Sequence, residues 1–248
     1  MIKTKVIYSN LLERDIEIRI KRANKESGIY LYFLDGQNIF DKESSTYNKS
    51  WEVDKVCDEL GLDVNIIGIS SLKDEARQFE YNPYYIENDK IKEMMGDKIK
   101  EDDPKGKLTA RFIVEELMPQ VEKEPASDRL IGGSSMGGIM SLYIGAQYPL
   151  KFNKILAMST AGFISPQELK EDLMRYKLQN NQRVYIDCGT KETEDEYVNL
   201  GYLTYNREYN TLLDNRVQHE YVEEEGGIHD EISWNRRLPN ALRWLFNL

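Results

Sequence analysis

Short apolar runs rich in Val, Ile and Tyr alternate along this chain with longer stretches of helical period. A buried parallel strand needs a long crossover, usually a helix, to reach the next one, so this alternation points to a layered α/β domain. Strands are expected at Ile29 to Leu34, Asn65 to Ile69, Arg129 to Gly133, Ile155 to Met158, Val184 to Asp187 and Val217 to Val222. Helices fit between most of them, at Trp51 to Leu60, Thr109 to Val121, Met136 to Tyr148, Gln167 to Tyr176, Tyr197 to Leu213 and Ile232 to Phe246. Lys5 to Tyr8 and Asp15 to Arg19 alternate on either side of Asn10-Leu11-Leu12-Glu13, which reads as an antiparallel lead-in to the sheet. No internal repeat, low-complexity tract or Pro/Gly/Ser-rich linker divides the 248 residues, so one domain over 1–248 is expected.

Gly133-Ser134-Ser135-Met136-Gly137 lies where a strand hands over to a helix, and only Ser135 fits the pattern G-x-S-x-G. A serine on so sharp a turn has strained backbone angles and close neighbours two positions away, and glycine at both flanks relieves the crowding. The same turn could instead cradle phosphate. However, the P-loop lysine is missing and the glycine spacing is not G-x-G-x-x-G.

Composition limits the partners of such a serine. The chain has 2 histidines and 2 cysteines, and Cys57 and Cys188 stand too far apart for a zinc finger or ribbon. No metal or other cofactor is expected. The base must be His219 or His229. His219 falls within a strand pattern with Val217 and Tyr221, whereas His229 follows Gly226-Gly227 on a loop before a helix. His229 is therefore the expected base. Gly189-Thr-Lys-Glu192 follows the preceding strand and makes Glu192 the first choice of acid, with Glu194, Asp195 and Asp187 left open. For the two backbone N–H groups of an oxyanion hole, Met136 supplies one and Gln37, in Asp35-Gly36-Gln37-Asn38 after a strand, supplies the other.

The formal net charge of -10 repels phosphate backbones and anionic lipid heads, so neither nucleic acid nor a membrane is an expected partner. Without a signal-like N-terminus or a long apolar run, the expected location is the cytoplasm, with reduced thiols. Nothing in the sequence addresses oligomeric state. The stretch Ser70 to Lys107 reads as a long irregular loop at the carboxyl edge of the sheet. Its Tyr81, Tyr84 and Tyr85 are candidates for stacking on a substrate. The run Glu223, Glu224, Glu225 with His229, Asp230 and Glu231 offers a further idea, a hard-cation site, against the commoner reading as a solvated acidic run.

Taken together, these motifs resemble the putative esterase family of α/β hydrolases, the group that includes esterase D-like, feruloyl and siderophore esterases. The resemblance rests on Leu34-Asp-Gly-Gln-Asn-Ile-Phe-Asp41 with Trp51, Arg77-Gln-Phe-Glu-Tyr-Asn-Pro83, Glu115-Glu-Leu-Met-Pro119, Gly132-Gly-Ser-Ser-Met-Gly-Gly138, Gly189-Thr-Lys-Glu192 and Gly227-Ile-His229 with Trp234. It implies an α/β-hydrolase fold of three layers, with a mostly parallel sheet of about eight strands and no large cap domain. It also implies a serine carboxylic ester hydrolase acting on small soluble esters, with Ser135 as nucleophile, His229 as base and Glu192 as acid. Arg77 and Glu80 would pair to brace their loop. The rival reading is a catalytically inactive binding or scaffold protein on the same fold, since fold does not fix function.

Overall fold

The computed structural model describes residues 1–86, 104–175 and 181–248. Eight strands form one sheet: β1 (Ile2–Ser9), β2 (Arg14–Lys21), β3 (Ile29–Leu34), β4 (Asn65–Ile69), β5 (Asp128–Ser134), β6 (Lys154–Met158), β7 (Arg183–Gly189) and β8 (Gln218–Glu224). Their order across the sheet is β1-β2-β4-β3-β5-β6-β7-β8. The β1–β2 and β2–β4 pairs are antiparallel and every other pair is parallel. The expected antiparallel lead-in is therefore present.

Period-two alternation divides the core. Along β3, Tyr30, Tyr32 and Leu34 pack into one buried cluster, and Leu31 and Phe33 into the other. Both faces are apolar because both are covered, as parallel strands require. One face carries α3 (Gly106–Arg111), which continues through a π-helical stretch (Phe112–Leu117) into α4 (Met118–Val121). It also carries α5 (Met136–Gln147), α6 (Pro166–Arg175) and α7 (Glu196–Leu213). The other face holds α1 (Val53–Glu59) and α8 (Glu231–Phe246). Between β6 and β7 the described residues form one short 3-10 turn and α6, with no cap inserted. The expected α/β-hydrolase fold is the one observed. Among the described residues no helix is long and apolar enough to cross a membrane.

The stretch read as an irregular loop from Ser70 to Lys107 holds a helix at its start, α2 (Asp74–Glu80). Its residues, Asp-Glu-Ala-Arg-Gln-Phe-Glu, carry too few apolar side chains for a helical stripe to show in the sequence. Residues 87–103 of that stretch lie outside the described residues.

Candidate active site

The strand β5 ends in Ser134, and Ser135 makes the turn into α5 with φ 59° and ψ -121°. This region is costly for any residue with a Cβ and persists only where the surroundings enforce it. They do so from β6 and the segment after it. The Ser135 N–H donates to the Met158 carbonyl at 3.0 Å, and the Ser135 carbonyl accepts from Gly138 at 3.0 Å and Ala161 at 3.2 Å. A Cβ on Gly133 would come within 2.9 Å of the Gly137 backbone, so the flanking glycine is a steric requirement. Met136 is the first residue of α5, and a first-turn N–H has no acceptor within its helix.

At the end of β3, Asp35 adopts φ 55° and opens a 3-10 turn at Gly36–Asn38. Any Cβ on Gly36 would lie 2.3 Å from the carbonyl carbon of Gly68 on β4, so only glycine allows this loop to close on the sheet. Gln37, second in the turn, likewise has an N–H with no acceptor inside it. The Gln37 side chain points to Ser71, donating to its Oγ at 3.0 Å and accepting from its N–H at 3.1 Å. Arg77 on α2 makes two hydrogen bonds to the Asp35 carboxylate, at 2.7 and 2.6 Å, and lies over the Tyr81 ring. The expected Arg77–Glu80 pair is not formed: Glu80 instead takes two hydrogen bonds from Arg14 on β2, at 2.6 and 2.5 Å. Two separate pairs thus tie α2 down, one to the β3 loop and one to β2.

His229 and Glu192 meet on the loops after β8 and β7. His229 Nδ1 lies 2.8 Å from Glu192 Oε2, and the His229 N–H donates to the Glu192 carbonyl at 3.1 Å. Gly189 permits this meeting, because a Cβ there would fall 2.2 Å from the Gly227 carbonyl oxygen. The other carboxylate oxygen of Glu192 accepts from the Ser159 hydroxyl and the Gly189 N–H, both at 2.5 Å. Ser159 in turn accepts from Trp234 Nε1 at 2.9 Å and Arg237 Nη2 at 3.0 Å. Burial alone would raise the Glu192 pKa, but these donors and the His229 ring hold it below the ordinary carboxylate value.

The alternative acids point elsewhere. Asp187, inside β7, is fully buried with its Oδ1 3.2 Å from Arg237 Nη1. Burial pushes it up to about 7, with Arg237 pulling it down and Glu192 adding to the rise. Asp195 caps α7 by accepting from the N–H groups of Tyr197 and Val198, and Glu194 is exposed. His219 sits in β8, where its Nε2 lies 2.9 Å from Asn210 Oδ1.

The remaining ring nitrogen of His229 faces a tyrosine. The Tyr202 hydroxyl on α7 lies 3.4 Å from His229 Nε2. The imidazole stands between the Tyr202 ring and the edge of Trp234, each centroid 4.9 Å away. In front of Ser135 and His229 opens a cleft of about 470 Å³, walled by Asp35, Gln37, Tyr47, Lys73, Glu231 and Trp234 among others. Glu231 is buried there and accepts from Asn38 Nδ2 at 3.1 Å, and burial raises its pKa.

None of the three tyrosines expected to flank the cleft lines it. Tyr81 is buried, its hydroxyl accepting from the Asp35 N–H at 2.9 Å. Tyr84 is buried in the same core cluster as Tyr81 and donates to Asp172 at 2.8 Å. Tyr85 is exposed. The helical turn of α2 carries these rings past the cleft edge, leaving Leu72, Lys73 and Arg77 to line it. The acidic run is likewise dispersed among protein partners: Glu223 with Arg207, Glu224 with Arg236, and Asp230 with Lys49 and the first turn of α8.

With this geometry in place, the family profile named Putative esterase matches residues 9–245. The chain belongs to the Putative esterase family. Membership makes it a carboxylic ester hydrolase. Solved structures with a similar fold include the BES protein from Bacillus cereus, at 19% identity and TM-score 0.74, with 98% of this chain and 94% of that one covered. The siderophore hydrolase EstB from Aspergillus nidulans aligns at 13% identity and TM-score 0.70, covering 99% and 95%. The enterobactin esterase FES from Shigella flexneri aligns at 17% identity and TM-score 0.71 over all of this chain, which spans only 59% of that one. No curated protein matches the sequence.

Sequence reasoning missed Tyr202, Ser159 and Arg237. Tyr202 falls on the same helical stripe as Asn206, Tyr209 and Leu213, which reads as core packing and hides its hydroxyl. Ser159 and Arg237 carry no motif, and their convergence on Glu192 depends on the packing of α8 behind β6 and β7.

Proposed function

We propose that this chain is a serine esterase of small soluble carboxylic esters, working through Ser135, His229 and Glu192 by way of an acyl-enzyme. The observation that carries the reading is the 2.8 Å contact between His229 Nδ1 and a buried Glu192, behind an imidazole on the same cleft wall as Ser135. An acid in that position holds the imidazole in the tautomer whose Nε2 accepts a proton, and stabilises the imidazolium that follows. Ser135 then attacks the ester carbonyl, and the N–H groups of Met136 and Gln37, which have no acceptor inside their own helical turns, are the donors for the oxyanion. The alcohol leaves with the proton, and water repeats the sequence on the acyl-enzyme. Among the described residues no cap covers the cleft, which supports small soluble substrates, and two buried free thiols support a reducing compartment such as the cytoplasm. Hydrolysis of p-nitrophenyl acetate that disappears in Ser135→Ala is the expected result. Equal rates in the two proteins would remove the proposal.

A further inference from the structure

We propose that Glu231 is a positioning residue, which ties the turn bearing the Gln37 N–H to the segment bearing His229 through a hydrogen bond to Asn38; the inference rests on the esterase reading given above. Asn38 follows Gln37 and closes the 3-10 turn, and Glu231 comes shortly after His229, at the first position of α8. Asn38 Nδ2 donates to Glu231 Oε1 at 3.1 Å, and both residues are buried, at 7% and 4% exposure. The direction of this bond is fixed by a third group. Asn38 Oδ1 accepts from the Thr46 N–H at 2.9 Å, and a backbone N–H can only donate, so the amide presents its NH2 group to Glu231. What the turn needs from Glu231 is therefore an acceptor oxygen. Charge is not required, because a carboxyl oxygen accepts in either protonation state, and burial, with Asp35 and Asp230 nearby, pushes the Glu231 pKa up.

Other contacts join the same two segments further from the turn. Lys49 pairs with Asp230 at 2.8 Å, Asn235 Nδ2 donates to the Trp51 carbonyl at 2.6 Å, and the Trp51 and Trp234 rings stand 5.5 Å apart. They hold the far end of the β3 loop, which folds back so that the Asn38 carbonyl accepts from the Trp51 N–H at 2.9 Å and the Ser50 hydroxyl at 3.0 Å. Among the described residues, Glu231 supplies the one side-chain hydrogen bond from the His229 segment to Gly36–Asn38. The first turn of α8 also carries Trp234, whose ring edge meets the imidazole with centroids 4.9 Å apart. One helical turn thus sets the base through Trp234 and the Gln37 donor through Glu231. Their spacing matters because a misplacement of about 1 Å costs on the order of 10²-fold in rate. Without the Glu231 oxygen, the Asn38 NH2 group is a buried donor lacking its partner, and the turn relieves that cost by shifting, which carries the Gln37 amide with it.

The test compares Glu231→Met, which keeps the length of the side chain and removes the acceptor, with Glu231→Gln, which keeps both. Native protein and Ser135→Ala are assayed beside them with p-nitrophenyl acetate. Glu231→Met should lower kcat by roughly 10²-fold at nearly unchanged KM, and Glu231→Gln should keep most of the native kcat. Affinity for a trifluoromethyl ketone, which binds as an oxyanion, should weaken in Glu231→Met by about the same factor as kcat/KM. Adding Asn38→Ala to Glu231→Met should cost no more than Asn38→Ala alone, since both remove one bond. Full activity in Glu231→Met, with Ser135→Ala dead, would overturn the positioning role and leave the esterase reading intact. So would a raised KM at native kcat, which marks a substrate contact, or losses that multiply in the double variant. If Glu231→Met does not fold, Glu231→Gln still decides: a 10²-fold loss of kcat there would show that charge, not the hydrogen bond, is what the site uses, and retained kcat with native inhibitor affinity supports the proposal. Turnover unaffected by Ser135→Ala would overturn both.

Discussion

Ser135 holds a backbone conformation that its own side chain disfavours, and two facing glycines with backbone hydrogen bonds to Met158, Gly138 and Ala161 among others keep it there. That much is legible from spacing alone, because G-x-S-x-G between a strand and a helix states a steric requirement. Glu192 was less legible: four acids crowd the same segments, and sequence distance cannot say which one faces the histidine. The structure separates them by what each touches, with Asp187 on Arg237, Asp195 on the start of α7 and Glu192 on His229. Replacing Glu192 by Gln should therefore lower kcat by roughly 10⁴-fold while the protein stays folded, because the amide no longer enforces the right tautomer. Asp195→Ala should leave kcat nearly unchanged and cost about 1 kcal/mol of stability through the lost cap. Steady-state kinetics and urea titration of both variants check the contrast.

Strand boundaries were readable wherever both faces are buried, since Ile29–Leu34 is rich in apolar and aromatic residues throughout and Asn65–Ile69 is apolar after its first residue. The helix α2 was not readable, because what holds it is not an apolar stripe but Arg77 on Asp35 and Glu80 on Arg14. This also explains why the tyrosines that follow it were misplaced relative to the cleft. The loop that α2 supports depends on the close approach of Gly36 to Gly68. Gly36→Ala should displace the Gln37 amide, lowering kcat by roughly 10²-fold and reducing Tm. Gly61→Ala is the control: Gly61 has positive φ, but nothing lies within 4 Å of its Cβ position, so the cost is backbone strain of about 1 kcal/mol with kcat unchanged.

At the scale of the whole molecule, the sheet order brings together three segments that stand far apart in the chain, and a buried charge network lies beneath their meeting point. Asp187 gives that network a pH signature. Its pKa in the fold is about 7, against an ordinary 3.8, so between those values the folded chain keeps a proton that the unfolded chain has lost. Its stabilising contribution is complete below the lower value and is lost as pH rises through the upper one. Glu192 acts in the opposite sense and only at lower pH, since its pKa is depressed below 4.5. Urea midpoints should therefore fall as pH rises from about 4.5 to about 8, and Asp187→Asn should flatten that slope. No sequence pattern announces this, because it arises from where α8 places Arg237. The claim on which the rest depends is that the segments converge on a nucleophile at Ser135. A fluorophosphonate probe followed by peptide mass mapping tests it most directly. The account predicts a single adduct on the peptide carrying Ser135, absent from Ser135→Ala and slowed in Glu192→Gln; no adduct on the native protein, or equal labelling of Ser135→Ala, would contradict it.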